Sequence, residues 1–129
     1  MSGSVSPEVE ERLTGEVLPA YLATTRDDRP HVAPLWYRYE DGTVEFVTTG
    51  RKLENTRANP RVALAVHKHV SGLPEWSVTL LGTAEIVEDE VETREANRKI
   101  NDKYGVDLDA WKENTLVRVD VGSASIRRY

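Results

Sequence analysis

The chain has 129 residues, 22 acidic and 17 basic side chains, a formal net charge of −5 and no cysteine. That length suits one domain around one core, and the missing thiols exclude disulfides, a thiolate nucleophile and cysteine-ligated zinc. The acidic balance argues against binding long nucleic acid by counterion release, and no apolar run reaches the length of a membrane span.

Met1 to Glu11 has no apolar stretch, so no signal peptide is expected and a cytoplasmic setting is. Ser6 followed by Pro7 and acidic residues is a helix start, predicting a helix over Pro7 to Val17. Strands then dominate. Tyr21 to Thr25 is the first, and Asp27-Asp28-Arg29-Pro30 is turn chemistry. His31 to Tyr39 reads as one continuous second strand, closed by the hairpin signal Asp41-Gly42. Thr43 to Thr48 is the third. A short helix over Lys52 to Ala58 stops ahead of Asn59-Pro60, because the residue before proline avoids helical angles.

Arg61 to His69 is the fourth strand. Ser71 to Pro74 breaks the chain before a long fifth strand, Trp76 to Val87. Its residues Val78, Leu80, Gly82, Ala84 and Ile86 share one face, and Gly82 marks a bend or a close backbone approach. Asp89 caps a helix running to Tyr104, a solvated element anchored by Val91 and Ile100. Asp107 to Trp111 reads as one more short helix. Leu116 to Val121 and Ser125 to Arg128 are the closing strands. No repeat or linker divides the chain, so a single domain over 1–129 is expected: mainly β, a small barrel with peripheral helices.

The chemistry concentrates where the third strand hands over to the short helix. Thr48 and Thr49 offer hydroxyls, Gly50 allows close backbone approach, and Arg51 and Lys52 bring positive charge to a helix start that itself favours an anion. This is a phosphate grip. The competing reading is a solvated basic helix start with Glu54 paired to a neighbour. The segment is not a P-loop, and no G-x-G-x-x-G occurs. His67 and His69 share a strand face, but further ligands at metal spacing are missing, so no metal site is expected. For Trp76 and Trp111, ordinary packing is favoured over the alternative that each covers a bound ligand from a partner subunit. Neither a Ser-His-Asp arrangement nor a catalytic acid pair is evident, and the catalytic residues are unassigned.

Leu22-Ala23-Thr24, Pro30-His31-Val32-Ala33-Pro34-Leu35-Trp36, Arg51-Lys52 and Asn59-Pro60-Arg61-Val62-Ala63-Leu64, in that order and spacing, resemble the pyridoxamine 5′-phosphate oxidase-like flavin-binding split-barrel family over about Leu18 to Val87. The resemblance implies a six-stranded split barrel that pairs as a homodimer, with FMN in each of two grooves between protomers. It implies Pro34, Leu35 and Trp36 against the flavin ring. Thr48, Thr49, Arg51 and Lys52 would hold ribityl oxygens and phosphate. Ser77 stands where the oxidase carries a flavin-contacting glutamine. The C-terminus, Ser125 to Tyr129, does not match the oxidase's terminal Trp and Arg, so a different small-molecule substrate is expected. Related reductases use the deazaflavin F420 on the same barrel, which makes F420 the alternative cofactor. A flavin or haem carrier without turnover, or a dimeric binding module, is the third reading, with His67 and His69 as the haem suspects.

Overall fold

A computed structural model describes residues 5–129. Helix α1 (Pro7–Thr14) starts where the sequence places it. Ser6 Oγ accepts from the Val9 amide at 3.3 Å, and Pro7 sits in the first turn, where no amide donor is needed. The helix ends at Thr14 rather than Val17, with Gly15 as its C-cap, whose amide still donates to the Glu11 carbonyl.

Seven antiparallel strands follow in one sheet: β1 (Ala20–Arg26), β2 (Arg29–Leu35), β3 (Arg38–Glu40), β4 (Thr43–Thr48), β5 (Arg61–Val70), β6 (Leu73–Val87) and β7 (Thr115–Arg128). Their spatial order is β2-β1-β5-β6-β7-β4-β3. The expected strand from His31 to Tyr39 is therefore two strands, broken at Trp36-Tyr37 and lying on opposite edges of the sheet. The cause lies in Tyr37. Its amide donates to the Tyr104 hydroxyl, its carbonyl accepts from Lys103 Nζ, and its own hydroxyl donates to the Leu13 carbonyl. Side chains satisfy its backbone where a neighbouring strand otherwise does.

That break shapes the molecule. Leu35 and Arg38 are three Cα steps apart, at most about 11 Å, so the two sheet edges must approach each other. The sheet curls into a barrel that is split along one seam. Counting β2 and β3 as one interrupted strand gives the expected six.

The two expected closing strands are instead continuous in β7. The pairing shifts between Leu81–Ser123 and Gly82–Val121, leaving Gly122 as an extra residue, a bulge that bends the strand without ending it. Gly82 is the close approach the sequence signals: a Cβ there would lie 2.5 Å from the Asp120 carbonyl oxygen and 2.7 Å from Val119 Cγ1.

The inward faces of the strands, with Leu22, Phe46, Leu64, Val66, Val78, Leu80 and Val119, form one buried cluster that Val9 and Leu13 of α1 join. Helix α2 (Gly50–Ala58) links β4 to β5, and α3 (Glu90–Tyr104) links β6 to β7. Asp89 caps α3 through the Glu92 amide at 2.9 Å, and Gly105 ends it at φ 74°. Ile100 is buried as expected, but Val91 is exposed. Ala96, Asn97 and Asn101 face inward instead. The segment 107–114 is a chain of turns rather than a helix: the Asp107 carboxylate accepts from the Asp109 amide at 2.8 Å, which diverts the backbone, and Trp111 has φ 56°. Among the described residues no helix is long and apolar enough to cross a membrane.

Candidate functional site

The groove begins at the seam. Where β2 leaves the sheet, Pro34, Leu35 and Trp36 line a cavity of about 330 Å³. Val47, Thr48, Thr49 and Lys52 line it from the handover of β4 to α2, and Ile100, Asn101, Trp111 and Asn114 from α3 and the turns after it. The volume lies in the range of small-molecule sites, roughly 300–1,000 Å³. Six of the nine residues expected from sequence thus meet in one place, although Pro34 and Leu35 on β2 and Thr48 on β4 stand far apart in the sheet order.

The start of α2 is open toward an anion. Thr49 holds the N-cap position in extended conformation, yet no side chain caps the helix. Its first amides therefore keep their donor capacity, and the helix dipole adds to it. Gly50 has φ 69°, a conformation that glycine adopts cheaply, and nothing lies within 4 Å of where a Cβ would stand. A ligand oxygen can reach this backbone directly. Thr48 is buried and its hydroxyl makes only a long bond, 3.4 Å, to the Thr49 carbonyl.

Arg51 and Lys52 part company. Lys52 faces the cavity just described, whereas Arg51 lines a neighbouring one with Arg26, Asp27, Arg29, Pro30, His31, Glu54 and Asn55. Ser77 lines neither. It sits on β6, paired with His67 of β5 and Arg127 of β7, on the outer face of the sheet. His67 stacks on Tyr21 with ring centroids 5.6 Å apart and meets His69 edge-on at 4.5 Å.

An aromatic stack fixes the far wall. Trp36 lies parallel to Tyr104, with centroids 4.6 Å apart and planes at 4°, and Trp111 meets it edge-on at 5.2 Å. Tyr104 is held by donating its hydroxyl proton to the Leu18 carbonyl at 2.7 Å. Behind the stack, Lys103 Nζ lies 3.8 Å from the Tyr37 ring centroid and donates to the Tyr37 carbonyl at 3.0 Å. Burial, with the Arg38 charge adding to it, pushes the Lys103 ammonium down to about 8. Burial also pushes the Tyr37 phenol well above its usual range.

Trp76 is a core residue, as its packing reading expects, but Trp111 is half-exposed at the cavity rim. Asn97 and Asn101 place it there: both donate to the Ala110 carbonyl, at 2.8 and 2.9 Å, and so tie the turns to α3. Val47, Ile100, Asn101 and Asn114 are lining residues that sequence reasoning missed, and Trp111 is one for which it favoured packing over a ligand-covering role. Only Trp111, an aromatic in a turn-rich segment, carried a signal.

Lys52 is the sole ionisable side chain among the residues lining the cavity. The site can therefore position a flat, anionic ligand between apolar walls, but it has no acid–base pair of its own. Any redox chemistry must come from what it binds.

The fold and groove together define a split barrel with an anion-receptive helix start beside its seam. Residues 6–128 match the family described as pyridoxamine 5′-phosphate oxidase, and the chain belongs to that family. Among solved structures, it is similar to a FAD-binding protein from Mesorhizobium loti, with 26% identity, TM-score 0.75, and 97% of this chain and 96% of that one covered. It is similar also to an F420 reductase, with 28% identity, TM-score 0.73, and 97% and 98% covered. Uncharacterized protein RA0666 of Rhizobium meliloti (strain 1021) is 33% identical over 64 residues, which are 49% of this chain and 42% of that protein, so the match spans less than half of that relative.

Proposed function

We propose that the groove binds FMN, or the corresponding phosphate-bearing unit of F420, and that the protein is an oxidoreductase acting on a small molecule. One observation carries this reading: Pro34, Leu35, Trp36, Thr48, Thr49 and Lys52 converge on a single cavity beside an uncapped helix start. The residues fit the cofactor. The open α2 amides, the bare Gly50 backbone and Lys52 suit its phosphate, the Thr48 and Thr49 hydroxyls its ribityl oxygens, and Pro34, Leu35, Trp36 and Val47 its ring. Bound there, the flavin-type ring supplies hydride transfer, and the chain supplies position, charge balance and exclusion of water. Similarity to an F420 reductase at 28% identity keeps the deazaflavin as the second reading. The cysteine-free composition suits a cytoplasmic setting.

A homodimer completes the proposal. On the outer face of the sheet, Val32, Ala23, Ala63, Leu81 and Ser123 form one cross-strand row, and Pro34, Tyr21, Ala65, Thr79 and Ser125 the next. Val32 and Leu81 are 66% and 54% exposed on this small, weakly polar surface. Pro34 belongs both to this face and to the groove, and Ser77 lies one row further along. A second copy packed here makes the groove a seam and brings Ser77 into it.

Lys52→Ala tests the phosphate assignment. Loss of a charge-assisted contact costs about 2 kcal/mol, so FMN affinity should fall roughly thirtyfold in a fluorescence titration. Unchanged affinity would refute the assignment.

A further inference from the structure

We propose that Trp111 is the residue by which the groove selects its reactant: its indole is a platform at the rim on which a flat, conjugated molecule stacks to reach the cofactor. The inference rests on the flavin reading above and adds the class of reactant to it.

The backbone marks this residue out. Among the described residues, five other than glycine have positive φ. Asp27, Asp28, Asp41 and Ser71 are small and polar, and they stand in the two-residue turns that join β1 to β2, β3 to β4 and β5 to β6. Trp111, at φ 56°, is the large one. A bulky side chain is a true outlier in that region, whereas glycine adopts it cheaply. Burial does not offset the strain. Trp111 is 48% exposed, and its aromatic neighbour is Trp36, met edge-on at 5.2 Å. A strained backbone that carries a half-bare indole at a cavity rim serves binding better than packing.

The surroundings hold the strain in place. The buried Asn97 and Asn101 side chains both donate to the Ala110 carbonyl, and Asn101 donates also to the Leu108 carbonyl at 3.0 Å. Arg98 grips the Asp109 carboxylate through two bonds, at 3.1 and 3.2 Å. The Trp111 carbonyl accepts from the Asn114 amide at 3.0 Å. Helix α3 thus fixes the turns that lead into Trp111, and the ring stands on a rigid base.

Its setting favours the reactant over the cofactor. The cofactor reading uses Pro34, Leu35, Trp36 and Val47 for the ring, and Thr48, Thr49 and Lys52 for the tail. Trp111 stands upright to Trp36, with planes at 85°, and is the aromatic of the groove that solvent reaches most freely. A molecule that comes from solvent to take or give hydride must approach the cofactor ring to contact distance, and it passes this indole. Indole offers a large flat face with few rotamers to freeze, and ring–ring contact rewards planar partners over saturated ones.

The test uses protein loaded with whichever of FMN and F420 it takes up. By calorimetry, 2-naphthol is titrated against decahydro-2-naphthol, which has the same carbon skeleton and hydroxyl but no flat ring. The parent should bind the planar probe roughly fivefold more tightly or better. Trp111→Phe should keep most of that preference. Trp111→Gly, which removes the ring and relieves the backbone, should abolish it while cofactor affinity stays within about threefold. The glycine variant should also keep the parent's urea midpoint and molecular mass. No preference in the parent, or a preference that survives in Trp111→Gly, overturns the platform. So does a large fall in cofactor affinity, which makes the indole part of the cofactor wall, or a fall in midpoint or mass, which makes it a packing or subunit contact. Each of these leaves the flavin groove standing. Uptake of neither cofactor overturns the flavin reading and the platform together.

Discussion

Lys103 shows how a single residue can join the barrel's geometry to pH. Its ammonium has no carboxylate partner among the described residues. It leans instead on the Tyr37 carbonyl and on the Tyr37 and Tyr104 rings, beside the Arg38 guanidinium. Held at about 8 in the folded chain against an ordinary 10.5, it loses its proton earlier when folded than when unfolded. Between those values the unfolded state binds more protons, so its contribution to stability rises as pH goes from about 8 to 10.5. Lys103→Met removes this term and leaves the tyrosines unchanged. The stability difference, parent minus variant, should therefore grow in the parent's favour across that window in urea denaturation, and a pH-independent difference would contradict the assignment. At this scale the sequence was informative about groups that act close to their own strand or helix. Thr48, Thr49, Gly50, Arg51 and Lys52 suggest the proposed anion site because hydroxyls, a glycine and cations stand where β4 gives way to α2. Lys103 announces nothing, because its hydrogen-bond partner, the Tyr37 carbonyl, lies 66 residues away in the chain.

Among the elements, the β6–β7 pair carries the barrel's bend. Gly82 lets the Asp120 carbonyl pass where a side chain cannot fit, and Gly122 provides the extra residue of the bulge opposite. Gly82→Ala forces backbone apart rather than a flexible side-chain tip. It should destabilise the fold by about 1–3 kcal/mol in equilibrium denaturation; a neutral result would show that the strands can spread freely there. The periodicity of β6 and the glycine at its centre were legible from sequence because both are local. The continuity of β7 was not, since Gly122 to Ala124 looks like a strand end until β6 is seen pairing across it. The break at Trp36-Tyr37 was equally hidden: aromatic, strand-favouring residues run through it, and only the α3 side chains that bind the Tyr37 backbone interrupt the strand. Trp111 reached the groove by the same long-range route, through Asn97 and Asn101.

For the molecule as a whole, the proposed dimer links the split between β2 and β3 to the outer face of the sheet. The split opens a groove at Pro34 to Trp36, and the adjoining face offers small, weakly polar rows on which a second copy can close that groove. The fold class and the family were legible because strand order along the chain follows local patterns. The proposed pairing of two copies came from the family resemblance alone, because a surface left bare in one chain carries no periodic signature of a partner. The most direct measurement follows FMN binding and molecular mass together, by titration and light scattering, in the parent and in Leu81→Lys, which places a charge at the centre of the bare face. The account predicts a parent dimer that takes up FMN, and a variant that is monomeric and binds it at least tenfold more weakly. A monomeric parent, or a monomeric variant that binds FMN as tightly as the parent dimer, would contradict the claim that the cofactor lies at a seam between two copies.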